Sequence, residues 1–204
     1  MRHFGMLVPA TNTTCEIELC RLGPDLQVHT ARLGKGGNTP FSPSRDEDVA
    51  YQSQLLGAAR VEVIALMQTS ASLFADDYDA VAVRRMTEAS GAPSLTSAQA
   101  VGRALRALRA ARVAMATPYS PEVIARAQRY YQTKFGIAVL ASESLGATDS
   151  YAIGKMDPAT AGRRCNARLR SRWRCHAKPN SAAGLSTRIR LRMAASGTHW
   201  SSRL

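Results

Sequence analysis

The sequence predicts an α/β fold in which two parallel-sheet lobes face one cleft, and two observations carry this prediction. Short apolar runs typical of buried parallel strands alternate with amphipathic helical segments along most of the chain. A strand followed by proline, a polar loop and a helix occurs twice, at residues 6–22 and 113–135. We therefore expect a first lobe over residues 1–110 and the start of a second, incomplete lobe over residues 111–162.

The first strand–loop–helix unit opens the chain. The apolar run of residues 6–8 ends at Pro9, because proline cannot donate a hydrogen bond to a strand ladder. Thr11 and Asn12 follow, in the kind of loop where open α/β sheets hold ligands. The helix predicted over residues 15–22 would add free N–H groups, which favour an anion. An ordinary capped turn without a ligand fits the same spacing equally well.

The remaining elements follow from hydrophobic periodicity and from breaks at glycine and proline. Strands are predicted at residues 26–33, 61–66, 113–116 and from 137 onward, and helices at residues 44–59, 77–89, 97–109 and 121–135. We expect Ser44 and Glu47 to form a capping box, and Ser120 to cap the helix that Pro121 opens. Residues 34–44, rich in glycine, proline and serine, are expected to form a long loop of the kind that often binds or covers a ligand.

Charge is distributed unevenly along the chain. There are 27 basic and 15 acidic residues, but 11 of the basic ones and none of the acidic ones lie in residues 163–204. Residues 1–162 are therefore near neutral, with 16 basic against 15 acidic residues. We interpret residues 163–204 as a non-native or disordered tail, because out-of-frame reading of a GC-rich coding sequence gives arginine-rich, acid-free stretches. The alternative is a genuine nucleic-acid-binding tail, with Trp173 available for stacking.

Other compositional features narrow the class of protein. No apolar run is long enough to span a bilayer, and residues 1–3 lead directly into the first strand, so neither a membrane segment nor a signal peptide is expected. The four cysteines lack the spacing of a disulfide framework or a zinc site, which favours a cytoplasmic protein without a metal. Cys15 and Cys20 point in different directions from one helix, and we interpret both as core residues.

Polar side chains follow three of the predicted strands. They are Thr11, Asn12, Gln68, Thr69, Ser70 and Tyr119. Brought together at the sheet edges, they would form a pocket of neutral donors, which suits a carboxylate or an enediolate that develops during reaction. No Ser-His-Asp set is evident in the sequence.

Four stretches carry a resemblance to a known family. They read Gly-Met-Leu-Val-Pro-Ala-Thr-Asn-Thr-Thr at 5–14, Gln-Thr-Ser-Ala-Ser at 68–72, Thr-Pro-Tyr-Ser at 117–120 and Ile-Gly-Lys-Met-Asp-Pro at 153–158. Over residues 2–162 the chain resembles the maleate cis-trans isomerases of the aspartate/glutamate racemase superfamily, which have the arylmalonate decarboxylases as relatives. The resemblance implies two α/β lobes and a cofactor-independent isomerase acting on a small dicarboxylate.

The resemblance also implies roles for individual residues. Asn12 and Tyr119 would hold a substrate carboxylate, and Thr69 and Ser70 would donate to the same groups. Ser150 stands where relatives often carry an asparagine, and it is the remaining substrate-binding candidate. In the maleate isomerases a thiolate adds to the double bond, allows rotation and leaves, with one cysteine from each lobe flanking the substrate.

Two departures from the family pattern bear on catalysis. Gln68 occupies the position of the first-lobe cysteine, which the arylmalonate decarboxylases also lack, and nothing after Pro158 resembles the strand that carries the second-lobe cysteine. No catalytic nucleophile is therefore assigned, and we expect the 204-residue chain to be truncated and nearly inactive.

Two other functions are kept as alternatives. The first is decarboxylation of a malonate-type acid through an enediolate. The second is a non-catalytic binding protein with a basic nucleic-acid-binding tail. Membranes and nucleic acid are not expected as partners of the enzyme, and a homo-oligomer is left open.

Overall fold

Strands and helices alternate along residues 1–38, 41–147, 150–156 and 159, the part of the chain that the computed structural model describes. A short 3-10 helix, Ala71–Leu73, is the one further helical element in those ranges. The strands and α-helices are, in chain order, β1 (Arg2–Pro9), α1 (Cys15–Cys20), β2 (Leu26–Leu33), α2 (Asp46–Ala58), β3 (Val63–Leu66), α3 (Tyr78–Ser90), β4 (Ser94–Thr96), α4 (Ser97–Ala107), β5 (Arg112–Thr117), α5 (Pro121–Phe135), β6 (Ala138–Ser144) and α6 (Ser150–Gly154).

The strands form two parallel sheets, which confirms the predicted α/β class. The first sheet has the order β2-β1-β3-β4, and the second pairs β5 with β6. In the first sheet Leu7 of β1 pairs with Ala31 of β2 and with Leu66 of β3. Leu7 and Leu66 are completely buried, as expected for parallel strands covered on both faces. The apolar run at residues 6–8 is therefore the centre of the first lobe.

Each sheet has its own hydrophobic core. The first core packs α2 and α3 against the sheet and includes Leu33, Val49, Leu56, Ile64 and Met86. The second core packs α4 and α5 against β5 and β6 and includes Ala98, Leu105, Val113, Tyr131 and Ile137. Helix α4 thus follows an edge strand of the first sheet but buries its apolar face in the second core.

A buried carboxyl group connects the two lobes. Asp79 of α3 is 7% exposed and accepts a hydrogen bond of 2.8 Å from the Thr96 hydroxyl and another from the Tyr130 hydroxyl. Thr96 also caps α4, since its hydroxyl oxygen accepts from the Gln99 backbone N–H at 3.2 Å and the Gln99 side chain accepts in return. Burial and the bond to Asp79 raise the pKa of Tyr130 well above its ordinary value, so that hydroxyl remains a donor.

The start of α2 differs from its prediction. Ser44 does not form a capping box with Glu47; Arg45 occupies the N-cap position and makes no side-chain cap bond. The Ser44 backbone N–H donates instead to Gln68 Oε1 at 3.1 Å. Three acidic residues in the first turn, 46–48, lie favourably at the positive end of the helix dipole. A distant tertiary partner has therefore replaced the local cap.

Other elements show where local signals suffice. Helix α5 is confirmed in detail: the Ser120 hydroxyl accepts from the Val123 N–H at 3.4 Å, and Gly136 ends the helix with a φ of 68°. The sequence does not predict β4 or α6, because each is too short to show a periodic pattern.

Two expectations concern parts of the chain that the structure does not describe. The tail of residues 163–204 lies outside the described residues. Of the chain after residue 156, only residue 159 is described, so the prediction that the second lobe is incomplete stays a prediction. The lobe boundaries stay predictions, and so does the cytoplasmic location. Among the described helices, none has the length and apolar character needed to cross a membrane.

Replacing Tyr130 with phenylalanine tests the connection through Asp79. The ring is kept, but a buried acceptor loses one donor, so we expect the free energy of unfolding to fall by about 1–3 kcal/mol. Urea denaturation at neutral pH measures the change. Tyr131→Phe is the matched control, since Tyr131 lies in the same core on the same helix; an equal loss in both variants would contradict a specific role for the bond to Asp79.

Candidate active site

The predicted ligand loops follow the carboxyl ends of three parallel strands. Residues 10–14 follow β1, residues 67–70 follow β3, and residues 118–120 follow β5. Strands β1 and β3 are direct neighbours in the first sheet, so their two loops lie side by side. This is the edge of an open α/β sheet at which ligands bind.

Asn12 is fixed by the start of α1. Its side-chain oxygen accepts from the backbone N–H groups of Thr14 at 3.1 Å and Cys15 at 3.0 Å, and its amide nitrogen donates to the Cys15 sulfur at 3.2 Å. From β2, the Arg32 guanidinium donates to the carbonyl oxygens of Ala10 at 3.1 Å and Asn12 at 2.8 Å. The loop therefore holds Asn12 and Cys15 against each other.

Thr69 lies in the second of the three loops and is held in place by a residue of α4. Its hydroxyl shares a hydrogen bond of 2.8 Å with the hydroxyl of Ser97, the first residue of α4. Ser97 directly follows Thr96, which is bonded to Asp79. The position of Thr69 thus depends on the same junction that connects the two lobes.

Gln68 and Ser70 bind the protein itself. The Gln68 amide nitrogen donates to the Ser42 carbonyl at 3.0 Å, and its oxygen accepts from the Ser44 N–H at 3.1 Å. The Ser70 hydroxyl donates to the Phe41 carbonyl at 3.1 Å. These two predicted substrate ligands therefore hold residues 41–44, here called the 41–44 segment, and their roles toward a substrate stay predictions.

Tyr119, from the second lobe, reaches the loops of the first. Burial is the main cause that raises its pKa to about 12; the nearby Cys15 adds to the increase, and an interaction with the Thr69 hydroxyl partly offsets it. Its ring meets that of Phe41 edge-on, with centroids 5.2 Å apart and planes at 73°. The Ser144 hydroxyl donates to its carbonyl oxygen at 2.6 Å. Tyr119 is thus a neutral donor near Thr69 and Cys15.

The interpretation of both helical cysteines as core residues is wrong. Helix α1 has no buried residue; Cys20 is exposed and Cys15 is half-buried beside Asn12. Burial is the main cause that raises the pKa of Cys15, although the hydrogen bond from Asn12 acts in the opposite direction. The thiol is therefore protonated at neutral pH. The available signal was Asn12 itself, because an asparagine just before a helix commonly accepts hydrogen bonds from backbone N–H groups two or three residues later, and Cys15 is three residues later.

The last two predicted ligands are less defined. Thr11 is exposed to solvent. Ser150 begins α6, and its side chain is outside the described part of the structure. Helix α6 nevertheless packs on the first loop, because a Cβ atom at Gly154 would collide with the Thr13 hydroxyl. Any other residue at position 154 would require the Thr13 hydroxyl to move.

The described residues contain no group of three or more His, Cys, Asp or Glu side chains that could bind a metal ion. A cavity of about 250 Å³ does occur away from the predicted ligands. It lies between the segment that follows the 3-10 helix and α5, and its lining includes Ser72, Phe74, Asp76, Arg126, Arg129 and Tyr130.

Similar sequences support this description. A profile of the arylmalonate decarboxylase family matches residues 4–197. The arylmalonate decarboxylase of Bordetella bronchiseptica is 33% identical over 158 residues, which are 76% of this chain and 65% of that protein. The chain thus spans slightly less than two thirds of this curated relative. The profile match includes most of residues 163–204, whose nature stays a prediction.

Solved structures have the same fold. A double mutant of arylmalonate decarboxylase in its liganded form superposes with a TM-score of 0.73 and 31% identity, covering 83% of this chain and 73% of that one. The maleate isomerase of Pseudomonas putida superposes with a TM-score of 0.64 and 25% identity, covering 78% of this chain and 70% of that one. These similarities confirm the two-lobe fold and the resemblance to this superfamily.

The burial of Tyr119 can be measured by titration. Tyr119 is one of four tyrosines, of six in the chain, whose pKa is raised, and its hydroxyl should stay protonated up to about pH 11. Tyrosinate absorbance of the wild type and of Tyr119→Phe should therefore coincide up to that pH. A deficit of one tyrosinate in the variant near pH 10 would mean that the Tyr119 hydroxyl is accessible to water.

Proposed function

Because this chain belongs to the arylmalonate decarboxylase family, we propose that its site binds a small malonate-type dicarboxylate and releases one carboxylate as CO₂. The electron pair of the broken C–C bond passes into the remaining carboxylate, which becomes an enediolate. The additional negative charge on its oxygens requires donors that are already in place. Neutral donors of this kind are the Tyr119 hydroxyl and the adjacent Thr69 hydroxyl, with Asn12 on the neighbouring loop.

The observation that carries this proposal is the state of Tyr119. Burial keeps its hydroxyl protonated far above neutral pH, beside Thr69 and close to Cys15. A hydrogen bond from a protonated phenol becomes stronger as the negative charge on the acceptor oxygen increases. The Tyr119 hydroxyl would therefore stabilise the enediolate more than it stabilises the carboxylate of the bound substrate. Such differential binding is what lowers a reaction barrier.

Cys15 would complete the reaction. After CO₂ leaves, the α-carbon needs a proton, and the Cys15 thiol would donate it and recover a proton from water. Burial raises the pKa of this thiol, so that it is protonated at neutral pH and available as an acid.

Maleate isomerisation is the second candidate, and the likeness to the P. putida maleate isomerase favours it. Its chemistry needs a thiolate beside the double bond. Gln68 cannot supply one, and the raised pKa of Cys15 makes its thiolate scarce at neutral pH. The same thiol is thus better suited to protonation than to nucleophilic addition.

The two candidates give different products. An aryl malonate carrying an α-methyl group should lose CO₂ in D₂O and give a monocarboxylate with deuterium on the α-carbon, as proton NMR would detect. Maleate should not give fumarate at neutral pH. Calorimetry with the same malonate measures binding separately. A bound but unreacted dicarboxylate would contradict the proposed decarboxylation step and agree with the near-inactivity expected from the sequence. Fumarate formation without decarboxylation, or no binding of the malonate, would contradict the proposal.

Variants of two residues test the assigned roles. Tyr119→Phe should lower kcat by about 100- to 1,000-fold, as expected for the loss of one oxyanion donor. Cys15→Ser should lower kcat by about 100-fold or more, because it removes the proposed acid. Cys20→Ser is the matched control, since Cys20 is exposed on the same helix. Equal rates in the Cys15 and Cys20 variants would exclude the thiol of Cys15 as the proton donor.

A further inference from the structure

We propose that Gln68 is a positioning residue that holds the 41–44 segment against the site, so that the Phe41 ring packs on Tyr119. The resemblance aligns this position with a nucleophilic cysteine. In this chain the Gln68 side chain instead binds backbone groups of the 41–44 segment. The inference depends on the proposed function only in assigning Tyr119 to the substrate.

The bonds to the 41–44 segment are numerous for so short a stretch. Gln68 is 8% exposed, and both ends of its amide are bonded, as donor to the Ser42 carbonyl and as acceptor from the Ser44 N–H. Ser70 adds a bond to the Phe41 carbonyl. Two residues after β3 thus fix three of the four residues in the segment. Because buried amide groups are nearly always paired, Gln68 has little freedom to turn elsewhere.

The segment is unable to keep this shape by local preference alone. Phe41 has a φ of 64°, a left-handed conformation that is unfavourable for an aromatic residue. Lys35 and Ser44 form an isolated antiparallel bridge across the base of the loop. Gly36 lies so close to Pro43 that a Cβ atom would collide with the Pro43 carbonyl oxygen. The strain at Phe41 is therefore compensated by these contacts within the loop and by the bonds from Gln68 and Ser70 outside it.

The consequence appears at Tyr119. The Phe41 ring packs edge-on against the Tyr119 ring and covers it on the side of the 41–44 segment. If Gln68 no longer held this segment, Phe41 would withdraw and water would reach Tyr119. Its pKa would then fall from about 12 towards its ordinary value of 10. A thiol placed at position 68 would release the same segment, so Gln68→Cys would weaken the wall of the site while adding a nucleophile.

Two substitutions of Gln68 separate its bonds. Gln68→Ala removes both, whereas Gln68→Glu keeps an acceptor for the Ser44 N–H but loses the donor to Ser42. Amide hydrogen exchange at Ser44 should accelerate at least about tenfold in Gln68→Ala. The tyrosinate titration should gain one group near pH 10 in both variants. Gln54→Ala, an exposed glutamine on α2, is the matched control and should change neither measurement.

A second approach leaves Gln68 in place. Gly36→Ala should displace Pro43 by its added Cβ atom, and it should produce the same accelerated exchange at Ser44 and the same additional tyrosinate. Neither measurement needs substrate or turnover, so failure of this inference is distinguishable from failure of the proposed function. Unchanged exchange at Ser44 and unchanged titration in Gln68→Ala would overturn it. Equal acceleration at the amides of β1 would also overturn it, because Gln68 would then stabilise the whole fold rather than the segment.

Discussion

The site depends most on the buried carboxyl group of Asp79. Its bond to Thr96 fixes the start of α4, where the next residue, Ser97, is bonded to Thr69. Its bond to Tyr130 fixes α5, the helix that follows the Tyr119 loop. One acceptor therefore sets the position of a first-lobe donor and of the helix behind a second-lobe donor. The distance between Thr69 and Tyr119 therefore depends on the hydrogen bonds of Asp79, in which neither of these two residues takes part.

The polar residues after β3 divide into two groups. Gln68 and Ser70 bind the 41–44 segment, whereas Thr69 lies near the Tyr119 hydroxyl. Alternating residues of one short stretch therefore support the wall and face the neighbouring lobe. Arg32, a cation near the β1–α1 loop, binds the backbone of that loop and pairs with Glu16. The donors assigned to the proposed enediolate, Thr69 and Tyr119, are neutral dipoles that are already in place.

Much of the fold could be predicted because its signals are local. The buried run at residues 6–8 and the capped helix α5 each carry their own pattern. The errors arose where tertiary contacts decide: the Ser44 N–H binds Gln68 rather than a helix cap. Cys15 is half-buried rather than part of the core, and helical spacing alone does not show which side of a helix neighbouring structure covers. The loops that form the candidate site could be predicted from the positions where strands end. The bonds of Gln68 could not, because its partners, Ser42 and Ser44, lie in a loop more than twenty residues earlier in the chain.

The passage from β4 to α4 has a consequence for how the molecule moves. Thr96 is the last residue of β4 and Ser97 the first of α4, so no spare residue separates an edge strand of the first sheet from a helix of the second core. A hinge between the lobes at this point would have to break the capping box and the Thr96–Asp79 bond together. A rigid-body hinge motion of the two lobes at this connection therefore has a high free-energy cost. Entry and exit of a ligand would need less free energy if surface loops rearranged instead.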